Sequence, residues 1–203
     1  MENVKLETYE WIRTWQDHAP AIDLPRVLLV GDSITNGYQE AVRELLAGVC
    51  YVDFIATSYY VDNSTYHTIV KALFHSLPYA AVHFNHGLHG IHGDVETYER
   101  EMEKLVLEFE KTAKVTLVTS TNVRTNELRD VCPKWQPILE ERNAAVERIA
   151  ARHGCAIDDL YSVSLTVPLE ERAKDGVHYT TDGYKKRLAP VVAEAVKTAL
   201  SAL

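Results

Sequence analysis

The sequence predicts an α/β fold, a three-layer α/β/α sandwich around a central parallel sheet. Three observations carry this. Apolar runs of strand length alternate with amphipathic segments of helical period. The runs are apolar almost throughout, as strands covered on both faces require. Polar, turn-forming segments follow each run, where such sheets place their ligand sites. The chain has 203 residues, 46% apolar and 25% charged, with no low-complexity stretch, and is most simply one domain over residues 1–203.

Strands are expected at residues 26–30 (RVLLV), 49–55 (VCYVDFI), 79–85 (YAAVHFN) and 114–120 (KVTLVTS), with a weaker one at 155–157. Helices are expected between them. Residues 94–113 carry Val95, Tyr98, Met102, Leu105, Val106 and Phe109 at three- and four-residue spacing behind Asp94 as N-cap. Residues 134–152 repeat the pattern through Ile138, Val146 and Ile149, and residues 181–203 through Leu188, Val192, Ala195 and Ala199. Residues 36–47 and 65–76 form shorter helices. Residues 5–16 are read as an N-terminal helix, part of a 1–20 segment in which Trp11 and Trp15 pack onto the body or onto a second subunit of a homo-oligomer.

The formal charge of −8, without a basic stripe, argues against nucleic acid and anionic membranes as partners. No apolar run approaches membrane-spanning length. The opening MENVKLETYEWIRTWQDHAP lacks the basic-then-apolar pattern of a signal peptide. Cys50, Cys132 and Cys155 are an odd number with no close pair, which suits a reducing compartment, so a cytoplasmic protein is expected.

The chemistry concentrates in two places. Gly31-Asp32-Ser33-Ile34-Thr35-Asn36-Gly37 follows the first strand and opens a helix, where N–H groups point outward and the helix dipole favours negative charge. Such a loop can cradle a phosphate, hold a nucleophilic serine beside its own N–H, or simply cap the helix; Asp32 beside the serine either tunes the site or fixes the loop. Far along the chain, Asp175 and His178 stand three apart in a short turn. That spacing lets the carboxylate accept from Nδ1 and frees Nε2 as a base. Ser33, Asp175 and His178 together can form a triad, which is judged by geometry and not by chain order. A third feature, residues 82–94 (VHFNHGLHGIHGD), sets His83, His86, His89 and His92 three apart, which raises a metal-dependent hydrolase as a rival. A non-catalytic phosphate or sugar binder built on the GDSITNG loop is a further rival.

Other polar residues are weighed on position. Asn122 and Arg124 after the fourth strand line a pocket or a solvated loop. Asn143, inside the helical run ILEERNAAVERIA, signals a buried hydrogen bond. Tyr59 and Tyr60 form an apolar wall or stack on a sugar ring.

GDSITNGY after the first strand, GLH after the third and DGVHYTTDGY before the last helix resemble the SGNH/GDSL hydrolases, and within them the carbohydrate-esterase-like branch. The likeness runs from about residue 25 to the final helix. It implies a flavodoxin-like sandwich and ester hydrolysis without metal or cofactor. By position, Ser33 becomes the nucleophile, His178 the general base and acid, and Asp175 the residue orienting His178. The family's oxyanion donors are a glycine after strand two and an asparagine in G-x-N-D after strand three. Here Gly87-Leu88-His89-Gly90 puts His89 in the asparagine's place, to donate from a neutral ring, with Asn85 as the competing donor. The segment ATSYYVDNS offers no glycine, so a backbone N–H near Ser58–Tyr60 or the Asn63 side chain is expected to serve. The resemblance implies a serine esterase removing short acyl groups, acetyl foremost, from a small-molecule or oligosaccharide ester, with a lysophospholipid or other lipid ester as the alternative.

Overall fold

The computed structural model describes residues 6–125, 127 and 130–203. Six strands form one sheet in the order β1-β3-β2-β4-β5-β6. They are β1 (Ile12–Trp15), β2 (Arg26–Gly31), β3 (Tyr51–Thr57), β4 (Ala81–Phe84), β5 (Lys114–Val118) and β6 (Ala156–Asp158). Strands β2 to β6 run parallel, and β1 closes one edge antiparallel to β3.

Residue alternation along the strands sorts the core into two layers. Val27 and Leu29 of β2 face a cluster with α1 (Ser33–Leu45), α5 (Leu160–Thr166) and α7 (Ala189–Ser201). Leu28 and Val30 face a second cluster with α2 (Ser64–Phe74), α3 (Val95–Phe109) and most of the buried face of α4 (Gln136–His153). The expected three layers are therefore present. Asp53, the one charge inside the β3 run, is buried as the partner of Arg26 at 2.7 Å, with Tyr79 Oη donating at 2.8 Å.

The expected N-terminal helix is corrected. Over its described residues the segment has no helix: it bends at Thr8 and Tyr9 and contains strand β1, with Ile12 opposite Thr57 and Trp15 opposite Phe54. Trp11 and Trp15 are four apart, a spacing that fits one face of a helix or one face of a strand. The Trp, Ile and Thr content decides for the strand. The last helix also differs. A single turn, α6 (Thr181–Gly183), leads through a π-type segment at Tyr184–Leu188 into α7. Pro190 has no N–H to return to the preceding turn, and its ring crowds the carbonyl four residues back, so the helix widens there.

The chain crosses from β2 to β3 on one side and back to β4 on the other. The carboxyl end of β2 is thus the point where strand order reverses, the place where open α/β sheets bind their ligands.

Candidate active site

Ser33 is the first residue of α1, one residue beyond Asp32 at the carboxyl end of β2. Asp32 is the N-cap: Oδ1 accepts from Ile34 N at 2.9 Å, and Oδ2 accepts from Leu88 N at 3.3 Å. Asp32 thus ties the serine turn to the loop after β4, a loop-fixing carboxylate. The Asn36 N–H returns to Asp32 O, and the Ser33 N–H has no partner among the described residues.

The other half of the site is the turn before α6. Asp175 Oδ1 accepts from Val177 N and His178 N, both at 2.9 Å, and Oδ2 lies 2.7 Å from His178 Nδ1. His178 Nε2 lies 2.8 Å from Ser33 Oγ. The structure therefore brings Ser33, His178 and Asp175 into one unbroken hydrogen-bonded line from opposite ends of the chain. Burial pushes the Asp175 carboxyl up, but the His178 ring and the two backbone N–H groups outweigh it and hold the group below the usual carboxylate range. The side chains of His178 and Asp175 are 40% and 50% exposed, so solvent reaches the line.

The D-G-x-H turn is shaped by its glycine. Gly176 has φ +78, and a Cβ there would lie 2.2 Å from Arg124 O. Behind it, the buried guanidinium of Arg172 donates to Asn122 Oδ1 (2.8 Å), Asn122 O (2.9 Å) and Gly176 O (3.1 Å), and it stacks over Tyr179 at 4.6 Å. Asn122 is therefore a structural anchor and not a pocket residue. Arg124 closes the same region, with its N–H on Gly176 O.

The histidine run resolves into separate duties. His83 points to the α1/α7 side of the sheet, buried, with Nε2 2.9 Å from Asp158 Oδ2. His86 is buried against the Tyr66 ring at 4.7 Å. His92 meets Tyr60 edge-on at 5.8 Å. Among the described residues no three histidine, cysteine or acidic side chains converge as a metal-ligand set. The glycines between them answer a packing demand. Gly90, with φ +63, and Gly93 both lie against the Tyr60 ring, where a Cβ would come within 2.1 and 2.4 Å. Arg142, buried on α4, holds this loop from below by donating to Gly87 O, His89 O and Gly90 O at 2.9, 2.7 and 2.6 Å.

The expected side-chain oxyanion donors are corrected. His89 Nδ1 is 2.9 Å from Glu7 Oε1; a carboxylate accepts, so Nδ1 carries the proton and a neutral ring has none left on the buried Nε2. Asn85 donates to Val118 O at 3.1 Å, turned toward β5 and away from β2. The Ser58 N–H is spent on Trp11 O, and its hydroxyl sits between Trp11 N and Glu10. Asn63 caps α2, accepting from Thr65 N. Gly87 packs on Ser120 and supplies its carbonyl to Arg142. Tyr60 is a buried wall. Asn143 makes the buried hydrogen bonds expected of it, accepting from Ser120 N at 2.8 Å and donating to Ser120 O at 3.2 Å.

Two site-building residues, Arg142 and Arg172, escape sequence reading. The signal for Arg142 was present: it lies three after Leu139 and four before Val146, on the buried stripe of α4. For Arg172, in a run of charges beside Glu170 and Glu171, there was none.

His86 gives the site an acid sensitivity. Burial pushes its pKa down to about 3, against the nearby Asp32 carboxylate, with His89 and Arg142 adding to the fall. The unfolded chain binds this proton below about pH 6.5 and the folded chain does not, so stability is lost as pH falls from about 6.5 toward 3. The slope from this group is roughly 1.4 kcal/mol per pH unit. Denaturant unfolding of His86→Phe between pH 6.5 and 4.5 is expected to show a curve flatter than the wild type by about that slope.

No protein-family model and no curated protein matches the chain. Solved structures match it in fold. A lipase/acylhydrolase from Enterococcus faecalis superposes with a TM-score of 0.66 at 19% identity, over 86% of this chain and 96% of the other. A proposed SGNH hydrolase from Slackia heliotrinireducens gives 0.67 at 19%, over 86% and 100%. Axe2, an acetylxylan esterase from Geobacillus stearothermophilus, gives 0.65 at 18%, over 87% and 94%.

Proposed function

From the SGNH-hydrolase fold of this chain, we propose that it is a serine carboxylic ester hydrolase that removes short acyl groups, acetyl foremost, from a carbohydrate. The observation that carries the reading is the Ser33–His178–Asp175 line at the strand-order reversal. The acyl and sugar classes draw support from fold neighbours that are acetyl xylan esterases. A lipid ester asks for an apolar cleft, whereas Asn36, Gln39 and Glu40 stand on the face of α1 that runs away from Ser33.

In this reading Ser33 Oγ attacks the ester carbonyl as His178 Nε2 takes the hydroxyl proton. Asp175 holds Nδ1–H and balances the imidazolium that forms. The oxyanion sits at the N-terminus of α1, where the unpartnered Ser33 N–H and the helix dipole meet it. His178 returns the proton to the departing sugar hydroxyl, leaving an acyl-Ser33 ester. Water, deprotonated by His178, then attacks that ester; acetate leaves and Ser33 regains its proton.

Acetate release from acetylated xylo-oligosaccharides, wild type against Ser33→Ala, tests this. The variant is expected to lose at least about 10⁴-fold in kcat. Equal release by both proteins overturns it.

A further inference from the structure

We propose that the groove between α1 and the edge strand β1 binds the sugar chain of the ester substrate, with Trp15 as its stacking platform. The inference rests on Ser33 as the nucleophile of a carbohydrate esterase and names where the rest of the substrate lies.

The groove is a cavity of about 480 Å³. One wall is the stripe of α1 carrying Asn36, Gln39, Glu40 and Arg43. These recur at three- and four-residue spacing and so share a face. Asn36 is one turn from Ser33, and Arg43 lies about 15 Å from Ser33 along the helix. The other wall is β1, all four of whose residues are exposed. Ile12 pairs with Thr57, the last residue of β3, so it lies at the same end of the sheet as Ser33; Trp15 pairs with Phe54, three residues further back. The groove therefore begins at Asn36, one helical turn from Ser33, and runs along α1 and β1 away from that end of the sheet.

Its chemistry fits a sugar chain. Trp15 is 53% exposed, and the Arg43 guanidinium sits 5.4 Å over its ring, fixing the indole in place. Two amides and a carboxylate lie alongside, and they supply donors and acceptors for hydroxyl groups around an apolar ring face. A lipid tail would leave those polar groups unpaired, at a cost. The open edge of β1 also suits a second copy of this chain, and the test separates the two.

The decisive variant is Trp15→Ala, assayed on 4-nitrophenyl acetate and on acetylated xylotetraose. On the tetraose KM is expected to rise by about five- to tenfold with kcat nearly unchanged, the loss of one aromatic platform. On the small ester neither constant moves, which shows an intact triad. In parallel, deacetylated xylotetraose is titrated into Ser33→Ala and is expected to shift the Trp15 indole N–H resonance. Equal effects on both esters, an unmoved indole, or a wild-type dimer that Trp15→Ala dissociates would each overturn the groove. Absence of Ser33-dependent hydrolysis on either ester would instead overturn the esterase reading, while the titration still decides the groove.

Discussion

Asp175→Asn is expected to lower kcat about 10⁴-fold with little change in fold, the size of effect that tautomer reversal has in other triads. The carboxylate does two things with separate oxygens. Oδ1 holds the turn through Val177 N and His178 N, and Oδ2 holds the Nδ1 proton of His178. An asparagine keeps an acceptor for the backbone pair but faces Nδ1 with an NH₂ group. The ring answers by carrying its proton on Nε2, where it can no longer accept from Ser33. Unfolding midpoints should stay close to wild type while turnover collapses; a parallel fall in both would mean the carboxylate serves the turn and not the chemistry. Because Asp175 is held below the usual carboxylate range, its protonation does not set the acid limit of activity.

The second large effect is on stability. Arg172→Met is expected to cost about 3–4 kcal/mol, which for a chain of this size lowers Tm by roughly 10 °C. Arg172 is 3% exposed, and its removal leaves Asn122 Oδ1 and Asn122 O without their donor and Gly176 O with the Arg124 N–H alone. Gly176 is the second residue of the turn from Asp175 to His178, so under the proposed mechanism kcat on a small ester should also fall when assayed well below the new midpoint. Arg172→Lys keeps the charge but not the planar fork and should recover only part of either loss. Calorimetry of the three proteins checks this; a Tm within 2 °C of wild type for Arg172→Met would contradict it.

Much of this was legible in the residues. The parallel strands read as apolar runs because both faces are covered, and Ser33, Asp175 and His178 could be paired because each sits in a short turn with its own spacing. What stayed hidden has physical causes. The tryptophans of the first segment are four apart, which helix and strand share. The four histidines invite a metal, yet their three-residue rhythm follows glycines that make room for Ser120 and Tyr60. His89 matched a motif position, but Glu7, which claims its proton, is 82 residues away. Arg142 and Arg172 act through backbone carbonyls, which carry no residue identity to read.

The proposed chemistry requires Ser33 to be a nucleophile activated by His178. A fluorophosphonate probe followed by peptide mass spectrometry tests it most directly. One adduct is expected, on the peptide carrying Ser33, absent in Ser33→Ala and strongly slowed in His178→Ala. Absence of an adduct on the wild type, or labelling that persists at full rate in Ser33→Ala, would contradict it.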